Sequence, residues 1–211
     1  IRDYHTGVLN DAAELGTLTH EWIEADLNDW FEPDIFRDEQ AQMIAEYLAW
    51  KTEHDIEVAC TEATLFGQGY AGTVDWIGQI DGVWTLVDNK TSRNTWDEHI
   101  AQLAALGAAH TWLREVPAGT SGAQKHEKTI KGVKQVSWWV QEEIPPIQQY
   151  AILHVRPDDY NSKGEFVPAF CKLKIVPQAE IDAGWEMFQG ALQVRKSQSR
   201  LKEVRKQRGE E

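Results

Sequence analysis

The chain has 211 residues, 42% of them hydrophobic and 26% charged, and a formal net charge of −13. That size and balance fit one globular domain with a substantial core. No run of eighteen apolar residues occurs, which excludes a helical membrane span, and no signal-peptide pattern opens the sequence. Two isolated cysteines, Cys60 and Cys171, exclude a CxxC cluster and a disulfide framework and point to a reducing compartment.

In chain order, Asp11-Ala-Ala-Glu14 reads as a helix start, and Leu15, Leu18, Trp22, Ile23 and Leu27 recur at helical spacing until Pro33. The pattern predicts a second helix over 38–53, with Met43, Ile44, Tyr47 and Leu48 inward. Ile56, Val58 and Cys60 then alternate with polar and small residues as a strand that carries Glu62 on its apolar side. Residues 72–92, GTVDWIGQIDGVWTLVDNKTS, form a hairpin. Thr95-Trp-Asp-Glu98 is a capping box that opens a helix to about 115. Residues 117–134 read as a long loop containing Lys125, Lys128, Lys131 and Lys134. Strands over 149–155 and 166–176 precede a last helix, which starts near Gln178 and enters a basic tail over 195–211. This order predicts an α/β domain with a central mixed sheet.

The hairpin fixes its own register. Asp81-Gly82 is the preferred dipeptide of a two-residue type I′ turn, so Ile80 and Val83 close it and Asp75 falls opposite Asp88. Ile77, Leu86, Asp88 and Lys90 share one face with Asp75, while Trp76, Val87 and Asn89 share the other. Like charges directly opposed destabilise a sheet. A divalent cation between the carboxylates would offset the repulsion, with Lys90 reaching the same place. The plainer reading is a solvated face on which Lys90 is a loose counter-charge.

Three further residues are candidates for that place. Glu62 would be costly to bury unpaired if its strand lies beside the hairpin. His20 stands in GTLTH, where Gly16 and Thr17 leave room for another element, and imidazole is a common ligand for Mn²⁺. Gln102, on the helix after the Asp88-Asn89-Lys90 strand, would position a water or a phosphate.

The series GTLTH with His20, then Glu62, Gly72-Thr-Val-Asp75, Val87-Asp88-Asn89-Lys90-Thr91 and Gln102 resembles the PD-(D/E)XK nucleases. More narrowly it resembles their RecB-like exonuclease branch, with phage exonucleases and CRISPR-associated relatives. The resemblance covers about residues 7–110 and implies a restriction-endonuclease-like core. It divides one domain over 1–211 into a helical part at 1–53 carrying His20, a catalytic core at 54–115, a basic loop at 117–134 and the tail at 195–211.

On that resemblance His20, Asp75, Asp88 and the Asn89 carbonyl would bind Mg²⁺ or Mn²⁺. Glu62 would support the metal or its water, Lys90 would activate the attacking water, and Gln102 would steady the substrate end. Asn89 and Leu106 depart from the family pattern, which has an apolar or aromatic residue and often a tyrosine at these positions. The cysteines of an iron-sulfur cluster are missing, so none is expected.

The expected function is a metal-dependent DNA exonuclease, acting on linear ends in bacterial or phage recombination or repair. It would work in the cytoplasm of a bacterium or phage-infected cell, with no membrane partner. The loop lysines would grip the DNA strand, with Trp96, Trp138 or Trp139 stacking on bases. Two rivals are an endonuclease on the same fold and a catalytically idle scaffold that binds DNA or docks a protein, the latter compatible with the 16 acids against 3 bases in residues 1–62. A carbohydrate-binding domain, suggested by the tryptophan content and low pI, would be expected to lack the Asp88-Asn89-Lys90 arrangement.

Overall fold

In a computed structural model the described residues are 2–30, 32–94, 96–130 and 133–208, with the backbone alone described at 2–10, 114, 128–130, 133 and 135. The elements in order are α1 (Arg2–Leu27), α2 (Asp38–Thr52), β1 (Ile56–Gly67), β2 (Tyr70–Ile80), β3 (Val83–Lys90), α3 (Asp97–Gly107), β4 (Thr111–Glu115), β5 (Gln124–Ile130), β6 (Val133–Glu143), β7 (Gln149–Arg156), β8 (Asp159–Tyr160), β9 (Phe166–Val167), β10 (Phe170–Val176) and α4 (Gln178–Gln207). An eight-stranded mixed sheet runs β10-β7-β3-β2-β1-β4-β6-β5, and β8 and β9 form a separate ribbon. Among the described residues no helix is long and apolar enough to cross a membrane.

Two cores cover opposite faces of the sheet. On one face Trp22, Ile23 and Leu27 of α1 and Met43, Ile44 and Tyr47 of α2 pack on Trp76, Val87, Leu153 and Val155. On the other, Leu103, Ala104 and Leu106 of α3 and Ile181 of α4 pack on Ile77, Leu86, Leu65 and Ile152. The two sets follow strand alternation, which sends Trp76 and Ile77 to opposite sides. The β2–β3 turn is as the dipeptide predicts: Asp81 and Gly82 have φ of 52° and 80°, and Ile80 pairs with Val83. β3 then pairs in parallel with β7, placing Lys90 beside His154.

Several elements differ from the sequence expectation. α1 begins at Arg2, so Asp11 and Glu14 lie within it; a capping pattern is also tolerated on the exposed side of a continuing helix. Leu48 is exposed, on the outer side of α2. The helix expected to reach 115 stops at Gly107, and Thr111–Glu115 is a strand between β1 and β6. There the β-forming run Thr111-Trp112-Leu113 buries Trp112 against Leu65, which overrides the helical pattern of the alanines before it.

The expected loop over 117–134 is in large part the ribbon of β5 and β6, in register from Gln124↔Trp139 to Ile130↔Val133. Strand pairing with β6 satisfies a polar segment that has little apolar period of its own. Thr95 lies outside the described residues. The turn of α3 is closed instead by the Trp96 N–H, which donates to His99 Nδ1 at 3.2 Å.

Candidate functional site

The site is built where the β2–β3 ladder ends. The paired positions run from Ile80↔Val83 to Trp76↔Val87, and one step beyond stand Asp75 and Asp88. The Asn89 N–H donates to Asp75 Oδ2 at 2.5 Å, so a carboxylate takes the place of a strand carbonyl. The Asn89 side chain points the other way and accepts a hydrogen bond from Trp76 Nε1 at 3.2 Å within the core. This matches the predicted division of faces.

On the other side of β2, Thr61↔Trp76 and Ala63↔Val74 bracket Glu62 across from Asp75. A kink passes through this pair. Val74 lies in the core under α3 and Trp76 in the core under α1, although residues two apart on a strand should share a face. Glu62 has φ of 44°, and β1 shifts register between Val58 and Cys60. These irregularities turn Glu62 outward, so the expectation that it lies on the apolar side of its strand is corrected: it is exposed.

The charges are unevenly solvated. Asp88 is 1% exposed, and apart from Lys90 its carboxylate oxygens have no hydrogen-bond donor among the described residues. Lys90 Nζ lies 2.6 Å from Oδ2 and is its ion-pair partner, which leaves Oδ1 without one among the described residues. Burial, opposed by Lys90 and aided by Asp75, pushes the Asp88 carboxyl up to about 6. The Glu62 carboxyl is pushed up to about 7 by partial burial and then by the charges of Asp75 and Glu24, even though its side chain reaches water.

His20 comes from α1, with Nδ1 3.8 Å from Asp75 Oδ2. Gly16, one turn earlier, makes this possible: a Cβ there would stand 2.8 Å from Thr91 Oγ1. Burial lowers the His20 pKa below the usual histidine value, Asp75 opposes that shift, and Lys90 adds to it. The imidazole is therefore neutral at neutral pH, the form that offers a lone pair to a ligand.

A cleft of about 1130 Å³ lies beside these groups, lined by His20, Glu21, Glu24, Glu62, Trp96 and Arg156 among others. At its far end Arg93 and Arg156 share Asp159: Arg93 Nη2 and Arg156 Nη2 donate to Oδ2 at 2.5 and 2.9 Å, and Arg156 Nη1 donates to the Thr91 carbonyl at 3.1 Å. Sequence reasoning passed over these two arginines and Glu24. The signal for Arg156 was its place at the end of a strand parallel to the one carrying Lys90; for Glu24 it was one helical turn from His20.

The cleft gathers His20 and Glu62, with Asp75 against His20, Asp88 across the ladder from Asp75, and Lys90 two residues further along β3. Gln102 lines a different cavity, of about 350 Å³, beside Leu106 and Phe188 of α4. Lys125 and Lys134 lie on the β5–β6 ribbon, each 2.6 Å from a Glu127 carboxylate oxygen. Lys128 is on β5, and Lys131 lies outside the described residues.

Among the described residues no three His, Cys, Asp or Glu side chains already converge as a metal-binding group. The donor types nevertheless fit a small hard cation: carboxylate oxygens of Asp75 and Asp88, a neutral imidazole, and in Asp88 a buried anion with Lys90 as its close counter-charge. Fold and site thus define a mixed α/β protein in which an acidic cleft adjoins the Asp75, Asp88 and Lys90 cluster at the end of the β2–β3 hairpin. No family model and no curated protein matches the chain.

Proposed function

We propose that this chain is a metal-dependent deoxyribonuclease of the PD-(D/E)XK type, with a restriction-endonuclease-like core and exonuclease action on linear DNA ends. The observation that carries the reading is Asp88, a buried carboxylate whose close partner among the described residues is Lys90, standing across the β2–β3 ladder from Asp75, which His20 approaches. Burying an anion is costly even beside one counter-charge, and such costs persist where they serve a site. His20, Asp75, Asp88 and the Asn89 carbonyl would hold Mg²⁺ or Mn²⁺. When bound, that ion supplies positive charge to the phosphate and acidifies water.

The remaining work falls to the chain's own residues. Lys90 is the cation positioned to orient the attacking water and to stabilise charge on the phosphate oxygens. Glu62, with a pKa near neutrality, exchanges a proton in the range where hydrolysis would run. Arg93 and Arg156 give the end of the cleft a net positive charge toward a DNA phosphate. Gln102, from its own cavity, would act on the site only at a distance.

The test follows end-labelled linear and closed circular DNA, single and double stranded, with Mg²⁺ or Mn²⁺ and either wild type or Lys90→Ala. Loss of linear DNA only, abolished by the substitution, establishes an exonuclease at this site. Cutting of circles identifies an endonuclease on the same fold. Binding without cutting by either protein replaces the reading with a DNA-binding scaffold.

A further inference from the structure

Two surfaces outside the cleft carry opposite charge and uncovered apolar side chains. The first is the connection between α1 and α2, where Trp30, Ile35 and Phe36 are 59%, 47% and 69% exposed. These side chains are held outward by a pinned backbone. The Trp30 N–H donates to the Ala25 carbonyl at 2.9 Å, and the Phe36 N–H to Oε1 of the fully buried Gln40 at 3.0 Å. Around them Asp29, Glu32, Asp34, Asp38 and Glu39 are all exposed, and the one base of the stretch, Arg37, is paired with Glu14.

The second surface is the end of α4. Residues 193–208 are exposed throughout and carry seven Lys or Arg against the single acid Glu203. Val194, Leu201 and Val204, 56%, 56% and 43% exposed, fall on one stripe at helical spacing. A helix of this length with no cover is marginal in water, and the stripe is what a partner would bury.

We propose that this end of α4 docks on the acidic aromatic strip of a second copy of the chain, giving a head-to-tail assembly. The partner cannot be the same helix of another copy, because seven bases would face seven bases. Nor is it the strip of the same chain: α1 and α2 cover one face of the sheet, α3 and α4 the other. Polyanionic DNA would take the charges but leave the α4 stripe, Trp30 and Phe36 in water. The second copy satisfies all of them: bases meet acids, and Val194, Leu201 and Val204 meet Trp30, Ile35 and Phe36. Because the two surfaces differ, the contact is heterologous and repeats into a ring or an open chain.

Sedimentation of nucleic-acid-free protein tests this with two variants, one carrying Arg200→Glu with Arg205→Glu, the other Trp30→Ser with Phe36→Ser. All four positions are exposed, so melting temperature and circular dichroism should stay at wild-type values. Wild type is expected to gain mass with concentration at low salt and lose it at high salt. Each variant alone should be monomeric, with association weakened about tenfold or more. An equimolar mixture should recover a dimer and nothing larger, since each variant keeps one working surface. The proposal is overturned if wild type stays monomeric at low salt, if either variant assembles like wild type, or if the mixture stays monomeric. Loss of duplex DNA retention in the arginine variant with no change in mass would likewise overturn it and give the tail to DNA.

Discussion

Lys90 Nζ lies 2.6 Å from Asp88 Oδ2, and Asp88 is still held above its ordinary pKa, because burial outweighs the ammonium. A carboxyl raised in the folded state keeps a proton that the unfolded chain has released. Its contribution is therefore fully present below the unfolded value of 3.8 and lost as pH rises through about 6. Asp88→Asn, measured in EDTA by urea unfolding, should be more stable than wild type at pH 8, by roughly 3 kcal/mol at most. The gap should close toward pH 4. Exposed Asp81 and Glu127 and half-buried Asp159 shift the opposite way but are common to both proteins. Parallel stability curves would remove burial of Asp88 as the source of its shift.

Protons and cations compete for the same carboxylates. With Asp88 near 6 and Glu62 near 7, Mn²⁺ should raise the melting temperature clearly at pH 8 and little at pH 5. The effect should disappear in Asp75→Asn and Asp88→Ala. An equal Mn²⁺ shift in those variants would place the metal elsewhere.

Gly16 sets the distance between α1 and the end of β3. Alanine there would gain roughly 1 kcal/mol of helix propensity but put a Cβ within 2.8 Å of Thr91 Oγ1, a side-chain atom that can rotate away. Stability should thus change little. If Thr91 rotates, the helix and His20 stay in place and Mn²⁺ affinity in calorimetry should change little as well. A several-fold loss of affinity would show instead that the helix moves and carries His20 away from Asp75.

The hairpin was legible because its turn chemistry is local: Asp81-Gly82 alone fixes Ile80 against Val83 and the faces of Trp76, Val87 and Asn89. His20 was legible through the small residue one turn before it. What escaped has a non-local cause. Glu62 turns outward through a positive φ and a bulge that no periodicity signals, and β4 to β6 form because neighbours on the sheet complete their hydrogen bonding. Arg93 and Arg156 are 63 residues apart and meet only through Asp159.

Gln102 separates resemblance from geometry. It lines the cavity against α4, so Gln102→Ala should lower DNA cleavage less than about tenfold, whereas Lys90→Ala should remove a hundredfold or more. Comparable losses in single-turnover cleavage would show that Gln102 reaches the reacting phosphate once DNA is bound.

The ribbon lysines make a quantitative case. Lys125 and Lys134 share Glu127, so the three side chains present one net positive charge, not two. Each phosphate neutralised contributes about 0.9 to the slope of log affinity against log salt for duplex DNA. Replacing both lysines with glutamine should reduce that slope by about 1 if the ion pairs persist in the complex, and by about 2 if DNA displaces Glu127. Metal affinity should be unchanged, since the ribbon contributes nothing to the His20–Asp75 pair. A slope equal to that of wild type would take the ribbon out of the DNA path and leave Arg93 and Arg156 as the phosphate-facing cations of the cleft.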